Sequence, residues 1–167
     1  MMDLIINEDS ERIDGMMEGL KYLGSHCVDV GLVHGGGRLG FILGIQEHGS
    51  PVMHIPPRPV VEPGLHSAET QSAMGEAALK ALESAVEGDA AAAEEGLEAV
   101  GQAGADGIRA YIDAGIPPGN SPVTVSGGWI YNRVARKGVY VSGKGGGVPL
   151  VRTGALRDAF DYEVKSR

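Results

Sequence analysis

The chain has 167 residues and a formal net charge of -8, with 43% apolar and 22% charged residues. That length fits a single domain, 1–167, able to bury a core without disulfides or metals, and the composition excludes a wholly disordered chain. The acidic balance speaks against a dedicated nucleic-acid binder, and the 27 glycines, which follow no Gly-X-Y period, exclude collagen and imply many turns and close backbone contacts.

Leu4 to Ile6 is a short apolar burst that predicts a first strand. Ser10 then suits the cap of a helix whose apolar residues Ile13, Met16, Met17, Leu20 and Leu23 recur at helical spacing, with Gly24 as its stop. Cys27 to Val33 alternates as a strand does. The lone Cys27 cannot form an internal disulfide, and its apolar setting predicts a buried thiol in a reducing, intracellular environment. His34 to Gly37 reads as a loop, and Leu39 to Ile45 as a strand or a short helix ending near His48-Gly49. The N-terminus carries early acids and no basic region, unlike a signal peptide. No run approaches the ~18 apolar residues of a membrane span, so the expectation is a soluble protein without a membrane partner.

Pro51, Pro56, Pro57, Pro59 and Pro63 make the next segment extended and semi-rigid. From about 62 to 115 the chain turns rich in Ala and Glu. Ala68, Met74, Ala78, Leu79, Leu82 and Val86 form the apolar stripe of one predicted helix, and Gly88-Asp89 breaks the run. A second helix carries Leu97, Val100, Ile108, Tyr111 and Ile112. Its glycines 96, 101, 104 and 107 each weaken it by up to about 1 kcal/mol relative to Ala, so it needs tertiary support, and they permit close approach by a neighbour.

From about 116 to 148 the chain reads as a long glycine-rich loop, with a possible hairpin around Val139-Tyr140-Val141. At the C-terminus a polar turn carrying Thr153 leads into one helical turn through Leu156. Phe160, Tyr162 and Val164 then alternate with Asp161 and Glu163, the period of a half-buried strand. The fold expected is α+β: a small, mostly antiparallel sheet packed against one or two long helices, with a long glycine-rich loop.

Catalytic constellations are weak. Gly138 to Gly145 resembles a phosphate-cradling loop, but Gly145 stands where the magnesium-holding Ser or Thr belongs, and Gly146-Gly147-Val148-Pro149 is a poor helix start. His26, His34, His48, His54 and His66 lack the close spacing of a zinc site. Glu47 and His48 are adjacent and so point apart, and no Gly-x-Ser-x-Gly elbow is present. No catalytic residue, metal or cofactor is expected. In the glycine-rich segment Arg133, Arg136, Lys137 and Lys144 gather near Trp129, Tyr131 and Tyr140. Three readings stay open: a solvated loop, an arm that docks on an acidic partner surface, or a direct DNA contact.

Three ordered segments resemble the tailed-bacteriophage neck or tail-completion family, which joins heads to tails during virion morphogenesis. They are Glu47-His48-Gly49 with Ile55-Pro56-Pro57-Arg58-Pro59, Pro117-Pro118-Gly119-Asn120-Ser121-Pro122-Val123-Thr124, and Pro149-Leu150-Val151-Arg152-Thr153-Gly154-Ala155-Leu156-Arg157. Val60 stands where the family usually has Phe, and Gly88 to Gly115 is longer and richer in glycine than in the family.

The resemblance implies a structural virion protein that forms a ring at the neck and has no enzymatic activity. Its partners would be further copies of itself, a head connector or adaptor, and tail tube or terminator proteins, with DNA passing the channel without specific binding. The candidate assembly residues are Arg58, Trp129, Arg133, Arg136, Lys137, Lys144, Arg152 and Arg157. Arg58, Thr153 and Arg157 could equally serve only the fold of the monomer. The alternatives are a nucleotide- or phosphate-binding protein using Gly143-Lys144-Gly145 and an interaction domain unrelated to phage.

Overall fold

A computed structural model describes residues 2–34, 36–52, 55–132, 135–143, 145 and 154–167, the first eight of them by backbone alone. The chain opens with helix α1 (Met2–Ser25) rather than with a strand at Leu4 to Ile6. No glycine or proline interrupts residues 2 to 14, so helix propagation runs through the apolar burst, and three consecutive apolar residues cannot impose a strand period. Strand β1 (His26–Gly31) follows directly, two residues shorter at its end than its alternation suggests. The ambiguous apolar run is helix α2 (Arg38–His48), entered and left through Gly37 and Gly49, both at positive φ.

After the proline-rich segment come α3 (Val61–Leu65), α4 (Ala68–Glu87) and α5 (Ala90–Asp113). The break between α4 and α5 sits where the sequence puts it. Gly88 takes the left-handed conformation at φ 91, and the Asp89 carboxylate accepts from the Ala92 amide at 2.9 Å.

The expected loop of 116–148 is in large part regular structure. Ser121 caps α6 (Pro122–Ser126), which runs straight into β2 (Gly127–Asn132), and β2 pairs antiparallel with β3 (Lys137–Ser142). Apolar side chains on both hairpin faces hide the alternation that would have marked β2. The terminal unit is α7 (Ala155–Asp158) and β4 (Asp161–Ser166). Gly154, at φ 73, occupies the N-cap of α7 without a side-chain cap, and Thr153, the expected cap, lies outside the described residues.

The fold is α+β, with two separate antiparallel two-stranded sheets, β1–β4 and β2–β3. In the first, Val28 lies opposite Val164 and Val30 opposite Tyr162, so the C-terminal strand closes on the strand that follows α1. Helix α5 is the hub: α1, α3, α4, α7 and both strands of β1–β4 pack on it. The core gathers Ile108 and Ile112 of α5 with Val60, Ile116, Leu156 and Phe160, and Leu39, Ile42 and Leu43 of α2 pack along its edge. Phe160, fully buried, anchors the C-terminal unit, and its carbonyl accepts from the Arg109 guanidinium.

Small residues set the distances around the hub. A Cβ on Gly96 would stand 2.3 Å from Ala81 Cβ, one on Gly101 2.4 Å from the Tyr162 ring, and one on Gly107 2.1 Å from Thr70 Oγ1. The α4 stripe is corrected accordingly: its buried residues are Thr70, Ala81 and Ala85, while Leu79, Leu82 and Val86 face outward. Helix α1 meets α4 the same way, with Gly19 against Ala85, and leaves Ile13 and Met17 exposed. Cys27 is partly rather than fully buried.

Candidate functional site

The candidate assembly residues divide into two groups, those bound into the body and those on the hairpin. Arg58 is in the first. Only 8% exposed, it donates from Nε to the Pro118 carbonyl at 2.7 Å and from Nη2 to the Gly119 carbonyl at 3.0 Å. Its own amide donates to the Gln46 carbonyl at 2.6 Å. The forked guanidinium thus joins two segments of the family resemblance, 55–59 and 117–124, within one chain.

Glu47, the acid of the first segment, completes this junction. Its Oε1 accepts from the amides of Val60 at 2.8 Å and Val61 at 3.0 Å, capping α3 from another helix. The sequence gives no sign of this, because the cap lies 14 residues before the first residue of the helix it serves. Arg157 is also held internally, pairing with Asp113 at 3.1 Å and Asp158 at 2.8 Å. These hydrogen bonds, that to Asp113 first, raise its pKa.

The hairpin group is different. Trp129 is 74% exposed and Tyr131 65%, and Tyr140 is also largely in water. Trp129 pairs across the strands with Tyr140, rings edge to face at 5.8 Å, so that Trp129, Tyr131 and Tyr140 share one face. Ile130 and Val139 pair on the other face. The turn between the strands holds Arg136 at φ 47, followed by Lys137, and neither forms an ion pair among the described residues. No carboxylate occurs between Gly127 and Gly145. Among the described residues the hairpin rests on α6 and makes no substantial contact with the helical body. Arg133, Lys144 and Arg152 lie outside the described residues.

Gly143 and Gly145, which flank the phosphate-loop lysine, have local work. A Cβ on Gly143 would stand 2.4 Å from the Ser126 carbonyl carbon, and the Gly145 amide donates to the Val125 carbonyl at 3.1 Å. The described histidines act locally where contacts are seen. His26 stacks on Tyr22 at 3.9 Å, His66 bonds the Glu62 carbonyl, and His34 sits 3.8 Å from Asp161. Among the described residues no cluster of three or more His, Cys, Asp or Glu could hold a metal ion. No helix among them is long and apolar enough to cross a membrane.

Two further surface features were not visible in the sequence. One is the outward apolar row Leu79, Leu82 and Val86 on α4, with Ile13 and Met17 also exposed on α1. The other is a shallow groove between α4 and α5, floored by Ala73, Ala99, Ala103 and Gly107 and edged by Glu69 and Asp106. Made of alanine and glycine, it has no motif to announce it. No known protein family, curated protein or solved structure matches the chain.

Proposed function

We propose that this chain is a structural subunit of a tailed-phage or prophage virion, forming a ring at the neck that completes the tail or joins it to the head. The observation that carries this reading is the β2–β3 hairpin, which holds Trp129, Tyr131 and Tyr140 in water away from the core. A two-stranded hairpin is marginal by itself, and exposed apolar faces beside open strand edges favour pairing with another chain. The ordered resemblance to the neck and tail-completion family names the setting, and the acidic charge of -8 suits a channel wall past which DNA slides without being held. In that setting function resides in surfaces, with no reaction to catalyse.

The test is electron microscopy of lysates from a phage whose copy of this gene carries a stop codon. DNA-filled heads accumulating apart from tails are the expected result, and the morphology of the tail end assigns the defective side. Intact infectious particles would overturn the reading.

A further inference from the structure

We propose that the hairpin of one copy docks into the α4–α5 groove of a second copy, a head-to-tail contact that deepens the ring reading and rests on it for its biological setting. The two surfaces differ in shape and charge in the complementary sense. The hairpin presents an aromatic face with Arg136 in the turn at its end, while Lys137 stands on the opposite face with Ile130 and Val139. The groove is shallow, lined largely by alanine and glycine that leave room for flat rings, with the Glu69 carboxylate at its edge, while Asp106 beside it is paired with Arg109 at 2.6 Å. Helices α4 and α5 together carry nine acids against two bases, Lys80 and Arg109.

Charge also selects among the possible pairings. Groove against groove would bring together two net-negative helix pairs, and hairpin against hairpin two segments that carry bases and no carboxylate, so both symmetric arrangements meet like-charge repulsion. Hairpin against groove is the matched arrangement. Because the two surfaces are unlike, the pair keeps one free hairpin and one free groove after the first contact. The assembly therefore continues until it closes as a ring or runs on as a filament. Rings of Trp and Tyr anchor such contacts, since they bury a large area at little cost in side-chain freedom.

The test uses the full chain and two variants, Trp129→Ser/Tyr140→Ser in the hairpin and Ala99→Lys in the groove. Light scattering coupled to size exclusion, run across a concentration series, should show the wild type assembling, and less so as salt is raised. Each variant alone should raise the dissociation constant by about 30-fold or more, the loss typical of removing an aromatic anchor. Mixing the two variants leaves one intact hairpin and one intact groove per pair. It should yield a heterodimer and nothing larger, which also shows that both variants are folded. A wild type that stays monomeric at every concentration would overturn the proposal. So would either variant assembling like the wild type, although a ring built through other surfaces would then still stand. A phage that assembles without this gene would remove the ring reading and leave the contact itself in place.

Discussion

The body around α5 and the β2–β3 hairpin solve opposite problems with the same residue types. In the body, glycine and alanine let helices approach so closely that Phe160, Ile108 and Ile112 lose all contact with water. In the hairpin, glycine supplies the entry at Gly127 and Gly128, and the aromatic residues it introduces stay exposed. The body therefore explains its own order by burial, whereas the hairpin does not. Within the chain this two-stranded element is supported by α6, and the contact proposed above would cover the aromatic face that stays in water.

The comparison is broken most directly at Phe160. Phe160→Ala should cost about 3–5 kcal/mol, through lost burial and the cavity left beside Ile108, and thermal unfolding reads it. A loss within about 0.5 kcal/mol, the range of an ordinary surface change, would mean that the C-terminal unit is not part of the core.

Gly96→Ala sharpens the account of how the body packs. Helix propensity alone predicts a gain of about 1 kcal/mol. The new methyl would stand 2.3 Å from Ala81 Cβ and 2.7 Å from its Cα, so the helices must part, and a net loss of about 1–3 kcal/mol is expected. The sign decides: stabilisation would show that α4 and α5 do not approach as closely as described.

Arg58→Ala comes next. It leaves the carbonyls of Pro118 and Gly119 without their donor and should cost about 1–3 kcal/mol. Arg58→Lys keeps the charge but loses the planar fork, and should recover only part of the loss. Full recovery by lysine would make charge, not geometry, the basis of this junction. Trp129→Ser, by contrast, should leave the unfolding free energy within about 0.5 kcal/mol of wild type, the range for surface substitutions. A large loss there would place Trp129 in the fold and erase the contrast between hairpin and body.

These differences track what was legible in the sequence. The division at Gly88-Asp89 was readable because a left-handed glycine and a carboxylate cap are local signals. A terminal strand was readable from the alternation of Tyr162 and Val164 with Asp161 and Glu163, but β4 begins at Asp161, its first four residues are all partly buried, and Phe160 is fully buried just before it. Helix packing was not. Periodicity gives weight to large side chains, so Leu79, Leu82 and Val86 looked like the core of α4, while the actual contact runs through Ala81 and Ala85. The hairpin strand at Trp129 was hidden by apolar residues on both faces. The α4–α5 groove was invisible because alanine and glycine carry no chemistry of their own. Of the candidate residues, Trp129, Arg136 and Lys137 are grouped on the hairpin as their composition suggested, whereas Arg58 and Arg157 are held within the body by partners distant in sequence.

The smallest expected effect lies where the sheet closes on the chain's end. Lys165 bonds Asp29 at 3.0 Å and Glu163 at 3.2 Å, and these contacts, Asp29 first, raise its pKa above the ordinary 10.5. A cation whose pKa is raised by folding contributes its full stabilisation below its unfolded value and loses it as pH climbs through the folded one. The difference in stability between wild type and Lys165→Met should therefore be constant at neutral pH and shrink only above the ordinary lysine value. Since the pair is exposed to water, added salt should reduce the difference further. A difference that changed between pH 5 and 8 would move the control of this β1–β4 edge away from Lys165.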